Sequence, residues 1–217
     1  MTPNRPRTLV LVSGTGTEVG KTWWSSAMAQ ALRSRGLSVA ARKPAQSFDP
    51  DDTTTDAAVL GGATGEDATT VCAPHRWYEM PMAPPMAAAA LGRPGFSIAD
   101  LVAELTWPAD IDVGLVESAG GPRSPLADDG DTVALATALT PDLVVLVADA
   151  GLGTINAVRL AHDAFGTRAP DVVAPVIVAL NRYDNTLLLH RANRDWLEGD
   201  GYSVVTDPNA LASRLAS

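Results

Sequence analysis

The sequence predicts a doubly wound, mostly parallel α/β sheet in three α/β/α layers, and two observations carry that expectation. Short continuous apolar runs alternate with longer helical patterns, as strands buried on both faces between crossover helices require. The first run, Thr8-Leu-Val-Leu-Val12, leads into a glycine-rich loop, Gly14-Thr-Gly-Thr-Glu-Val-Gly-Lys-Thr22, which opens a helical pattern. All 217 residues are read as one domain, 1–217, because no linker or internal repeat divides them.

The loop is a phosphate-binding loop. Its glycines wind the backbone so that successive N–H groups point inward at phosphate oxygens, Lys21 adds a mobile positive charge, and the Thr22 hydroxyl can ligate magnesium. Gly14, Glu18, Val19, Gly20, Lys21 and Thr22 are therefore candidate nucleotide-binding residues, and the expected ligand is ATP or another nucleoside triphosphate with Mg²⁺. Five residues separate Gly14 from Gly20, one more than the common pattern of this loop allows.

The elements follow in order. Thr22 to Ser34 reads as a helix with Ala27, Ala31 and Leu32 on its inward stripe, Gly36 as its stop, and Trp23 and Trp24 as packing residues. Leu37 to Ala41 is a short strand ended by Arg42-Lys43-Pro44. A polar loop, Ala45 to Thr55, precedes a helix opening at Asp56, with Thr53 or Thr55 as its cap. The proline-rich connection Met80-Pro-Met-Ala-Pro-Pro-Met86 leads to helices at Ala87 to Leu91 and Ser97 to Leu105. Strands are expected at Val113 to Glu117, Leu143 to Ala148 and Val172 to Leu180, helices at Val133 to Leu139, Ile155 to Phe165 and Leu187 to Leu197, and a last strand at Tyr202 to Val205.

Composition limits the partners. With 46% hydrophobic and 19% charged residues the chain is expected to bury a substantial core. A net charge of −9 and a pI near 4.7 repel nucleic acid and anionic membrane surfaces, so positive charge at Lys21, Arg42 and Lys43 must be concentrated where a polyphosphate binds. The single cysteine, Cys72, forms no intramolecular disulfide. With no signal peptide or membrane span in evidence, the expected compartment is the cytoplasm.

In sheets of this class ligands collect beyond the carboxyl ends of the strands. Lys43 ends the second strand, Glu117 the third, Asp149 to Asn156 follows the fourth and Asn181 ends the fifth. These residues, with the five-spaced loop, the Lys43-Pro44 strand end, Val116-Glu-Ser-Ala-Gly-Gly121 and Gly151-Leu-Gly-Thr-Ile-Asn156, resemble the dethiobiotin synthetase family over most of the chain. The resemblance implies a P-loop NTPase-like fold and an ATP- and Mg²⁺-dependent ring closure of 7,8-diaminopelargonate with CO₂, by way of a carbamate and a carbamic-phosphoric anhydride. It implies that Lys21, Lys43 and Thr17 are catalytic, that Thr17, Lys43 and Ser47 contact the substrate, and that Thr22, Asp56 and Glu117 ligate the metal, with Asp51 and Asp52 as competing candidates. Glu117, Ser118, Ala119, Gly120, Asn181 and Arg182 complete its nucleotide site. Gly151, Gly153, Thr154, Ile155 and Asn156 would grip the substrate carboxylate across a homodimer interface, where a helix N-terminus favours an anion.

Three positions depart from the family pattern. Ser118 stands where glycine is usual, Asn181 is followed by Arg182-Tyr183 in place of an acidic residue, and Thr206-Asp207-Pro208-Asn209 only faintly echoes a Gly-x-x-Pro nucleotide loop. The competing readings are a diverged paralogue that keeps nucleotide binding without biotin chemistry and a P-loop ATPase switch. Against the switch, Thr15, Gly16 and Thr17 occupy the positions where such proteins carry an additional lysine. A related runner-up is an amidoligase, against which these 217 residues offer no room for the glutaminase domain that would deliver ammonia.

Overall fold

A computed structural model of the chain describes residues 5–168 and 174–216. The central sheet has six parallel strands in the order β10-β9-β8-β1-β5-β2. They are β1 (Thr8–Gly14), β2 (Val39–Arg42), β5 (Val113–Glu117), β8 (Leu143–Asp149), β9 (Val176–Asn181) and β10 (Ser203–Val205). Two small pairs stand outside it, β3 (Gln46–Ser47) with β4 (Trp77–Tyr78) and β6 (Pro125–Ala127) with β7 (Gly130–Asp131). The expected strand at Val172 to Leu180 is described from residue 174 on, and residues 172 and 173 lie outside the described residues.

Alternation along each strand divides two cores. On one face Val10, Val12, Val113 and Leu115 pack with Trp24, Met28 and Leu32 of α1 (Lys21–Arg33), Leu60 of α2 (Asp56–Thr64) and Leu211 of α9 (Pro208–Leu215). On the other, Leu9, Leu11 and Val116 meet Leu101 of α5 (Ile98–Glu104) and Val133 and Leu135 of α6 (Thr132–Leu139). Val158 of α7 (Thr154–Arg168) and Leu197 of α8 (Leu188–Gly199) cover β8 and β9. Period-two alternation thus puts helices on both sides, which is the three-layer architecture the sequence predicts.

Several local expectations are corrected. Trp24 is buried, but Trp23, one position earlier and so about 100° around the helix, is 56% exposed. Helix α4 (Pro84–Ala90) begins inside the proline-rich stretch and not at Ala87, because Pro84 and Pro85 occupy its first turn, where no backbone N–H is needed. Asp207 to Asn209 form the cap and first turn of α9, with the Asp207 carboxylate accepting from the Asn209 N–H at 2.9 Å, so this segment is a helix start. The short helix α3 (Ala68–Val71) was not foreseen. Thr55, one of the two candidates, caps α2, and Ser97 is the cap of α5 and not its first helical residue.

Candidate active site

Strand β1 lies in the middle of the sheet, so the loop after it opens at the carboxyl ends of its neighbours β5 and β8. Gly20 is the last loop residue before α1, with φ +91°, and a Cβ there would sit 2.0 Å from the Asn181 amide nitrogen. Only glycine satisfies both conditions. That closeness has a purpose: Asn181 Nδ2 donates to Val19 O at 2.9 Å and ties the end of β9 to the loop. Arg182 adds a second tie, donating to Glu18 O at 3.2 Å while pairing with Asp149 at 2.8 Å. Lys21 Nζ donates to Gly16 O at 3.0 Å across the loop.

Beside the loop, four elements, α1, α2, β5 and the end of β2, bring five polar side chains together. Thr22 and Ser25, three residues apart on α1, share one helix face. Thr22 Oγ1 lies 2.7 Å from Asp56 Oδ1 and 2.9 Å from Glu117 Oε1, and Ser25 Oγ donates to Glu117 Oε2 at 2.7 Å. Lys43 Nζ, buried at the end of β2, lies 2.7 Å from Asp56 and 2.8 Å from Glu117. It also donates to Ser118 O at 3.3 Å. A threonine hydroxyl has one proton, so it cannot donate to both carboxylates at once. The result is an all-oxygen cluster of Thr22, Asp56 and Glu117 crowded on a cation, a donor set that suits a hard divalent ion such as Mg²⁺.

Electrostatics separates the two lysines. Burial, and then the nearby Lys43 charge, pulls Lys21 down from 10.5 to about 8. Burial acts on Lys43 in the same direction, but Asp56 and Glu117 together outweigh it and hold the ammonium above its ordinary value. In return, Lys43 above all draws Asp56 down to about 2. Lys43 is therefore a fixed charge and Lys21 a titratable one.

Lys21, Thr22, Lys43 and Asp56 line a cleft of about 880 Å³ together with Thr17, Glu18, Gln46, Ser47, Phe48, Asp49, Asp52, Pro81, Met82, Ala119, Gly120 and Arg182, whereas the buried Ser25, Glu117 and Asn181 do not line it. The wall mixes anion-binding groups with an apolar strip from Phe48, Pro81 and Met82. The structure brings Thr17, Glu18, Gly20, Lys21, Thr22, Lys43, Ser47, Asp56, Ala119, Gly120 and Arg182 to this cleft. Ser47 Oγ donates to Met82 O at 2.6 Å, which fixes the proline-rich segment as the cleft's edge.

Other residues stand back from it. Gly14 ends β1, and Val19 packs on the core beneath the loop. Ser118 has no positive φ, so its backbone accommodates a side chain, and its fully buried hydroxyl is not part of the cleft wall. Gly151, Gly153, Thr154, Ile155 and Asn156 form the turn from β8 into α7 and do not line the cleft within one chain. Asp52 lines it and Asp51 does not, but neither contacts Thr22 or Glu117. Ser25 and Gln46 were missed from the sequence. The three-residue step from Thr22 would have suggested Ser25, whereas Gln46 acts through a tertiary contact with α2 that no spacing encodes.

A family model described as an AAA domain matches residues 8–203. An ATP-dependent dethiobiotin synthetase of Rhodococcus jostii is 38% identical over 212 residues, covering 96% of this chain and 89% of its own length. One from Caulobacter vibrioides is 38% identical over 174 residues, covering 77% of this chain and 78% of its own. Among solved structures, a putative plasmid partition protein from Borrelia burgdorferi bound to AMPPNP shares the fold, with a TM-score of 0.55, 12% identity, and coverage of 98% of this chain and 89% of that one.

Proposed function

Because the chain belongs to the family of ATP-dependent dethiobiotin synthetases, we propose that its cleft closes a ureido ring on a vicinal diamine. An amine of 7,8-diaminopelargonate takes up CO₂ as a carbamate, the γ-phosphoryl of ATP passes to a carbamate oxygen, and the neighbouring amine attacks the carbonyl carbon and expels phosphate. The observation that carries this reading is the meeting of Lys21 and the buried Lys43 in one cleft beside a phosphate loop. Carbamate and triphosphate are both anions, and bringing them together requires cations between them.

Each side chain has a part. Lys21 bridges phosphate and carbamate oxygens, and its lowered pKa keeps its charge responsive to the anion beside it. Lys43 holds the carbamate and then the mixed anhydride; its paired carboxylates keep it protonated, so it orients oxygen and does not remove protons. Thr17 and Ser47 contact the diamine end, and the Phe48, Pro81 and Met82 strip suits an aliphatic chain. Thr22, Asp56 and Glu117 would hold Mg²⁺, which when bound offsets phosphate charge. The nucleotide meets the loop backbone from Gly14 to Gly20, with Glu117 to Gly120, Asn181 and Arg182 around it.

The substrate's far carboxylate falls to Gly151, Gly153, Thr154, Ile155 and Asn156 of a second copy in a homodimer. Support comes from Leu152, 92% exposed within that turn, and from the exposed Leu160 and Leu188 on α7 and α8. Among the described residues no helix is long and apolar enough to cross a membrane.

The purified chain, given diaminopelargonate, bicarbonate, Mg²⁺ and ATP, should release dethiobiotin and ADP. A folded, nucleotide-binding protein that yields no dethiobiotin sinks this chemistry and leaves the diverged nucleotide-binding paralogue standing.

A further inference from the structure

Gln46 is only 2% exposed, lines the cleft beside Lys43 and Ser47, and has its two amide ends in opposite situations. Oε1 accepts from the Ala57 N–H at 3.0 Å, in the first turn of α2 and next to Asp56. Nε2 is buried and has no hydrogen-bond partner among the described residues. The orientation is set by the Ala57 contact, since a swapped amide would face N–H with N–H. A buried donor left unpaired is costly and calls for a partner that the described chain does not supply.

The surroundings define that ligand. The cleft wall around Gln46 carries Asp49, Asp52 and Asp56, and Glu117 lies behind Lys43, so an approaching anion meets four carboxylates there. Lys43 divides its charge between Asp56 and Glu117, so the carbamate that it holds gains from a further donor. A neutral N–H donor can bind an anionic oxygen at that point without disturbing the charge balance that keeps Lys43 and Asp56 paired. Its rigid tie to Ala57 holds it ready, with no side-chain ordering needed on binding.

We propose that Gln46 contacts the substrate: the buried Nε2, held by the Ala57 bond at the other end of the same amide, donates to a carbamate oxygen of the carboxylated diamine. The inference rests on the ring-closure reading above. It adds a residue that makes substrate recognition depend on a neutral donor as well as on the two lysines.

Gln46→Glu separates this role from helix capping, because the variant keeps an oxygen for the Ala57 N–H and the same shape but replaces the donor by an acceptor. At about pH 8 its KM for diaminopelargonate should rise roughly 10- to 100-fold, the value of one hydrogen bond to a charged group, while the Kd for an ATP analogue stays within about twofold. The deficit relative to wild type should shrink as pH falls, because protonation of the introduced carboxyl restores a donor. Gln46→Met should show a deficit that does not vary with pH. Wild-type KM in Gln46→Glu overturns the assignment alone, as does a defect confined to nucleotide affinity. No dethiobiotin from the wild-type chain in the same assay overturns the ring-closure reading and the Gln46 assignment with it.

Discussion

Removing the Lys43 charge tests the arrangement on which the site depends. Glu117 is 1% exposed and Lys43 equally buried, so Lys43→Met leaves a carboxylate in the interior without its cation. Breaking a buried pair in this way costs about 3–5 kcal/mol. Two features argue for the low end: Glu117 keeps the Ser25 and Thr22 hydroxyls, and the Asp56 side chain is 41% exposed and can turn to water. At about 3 kcal/mol, and roughly 2–4 °C per kcal/mol for a chain of this size, Tm should fall by about 6–12 °C. Thermal unfolding by circular dichroism in a chelating buffer at neutral pH measures it. The double variant Lys43→Met, Glu117→Gln removes both charges and should recover much of the loss, with a coupling of about 2 kcal/mol relative to the two single changes. A Tm for Lys43→Met within about 2 °C of wild type, or strict additivity in the cycle, would refute the buried pair as the organising contact. Lys43→Met should in addition form no dethiobiotin although it remains folded.

Two further outcomes follow from the same geometry. Lys21, with its pKa near 8 in the free protein, is charged below that pH and loses its proton above it, whereas a bound triphosphate restores the charge. Binding of a non-hydrolysable ATP analogue should therefore take up about 0.1 proton at pH 7, about 0.5 at pH 8 and about 0.9 at pH 9, with affinity declining as pH rises through 8; calorimetric heats that do not depend on the ionisation enthalpy of the buffer would contradict this. The proposed homodimer predicts twice the chain mass by light scattering at micromolar concentration and a shift to monomer in Leu152→Asp, and a monomeric wild-type chain would remove the proposed shared carboxylate site.

Much of this molecule is legible in one dimension because the determining interactions are local or periodic. Apolar runs at Thr8–Val12, Val113–Glu117 and Leu143–Ala148 point to strands buried on both faces, and strands form there over Thr8–Gly14, Val113–Glu117 and Leu143–Asp149. The loop from Gly14 to Thr22 is readable for the same reason: a phosphate cradle is made from consecutive backbone groups. Where a partner lies within one helical turn, as at the Thr55 cap, the sequence is again sufficient. Local rules failed where two patterns overlapped, as at Pro84-Pro85, where a proline-rich connection also serves as a helix start.

What the sequence determined by itself was the fold class, the phosphate loop and the set of charged residues at strand ends. Tertiary structure alone decided how those charges are shared. Lys43, Asp56 and Glu117 come from β2, α2 and β5, and only their convergence shows that one lysine is locked in a buried pair while Lys21 remains titratable. Ser118 and Gln46 make the same point in opposite directions. The first looked like a disturbance of the nucleotide site and proves to have its side chain buried away from the cleft; the second carried no signal and supplies a buried donor in the cleft wall. The physical reason is that electrostatic and hydrogen-bond energies depend on distance and burial in space, which strand order sets and residue spacing along the chain does not.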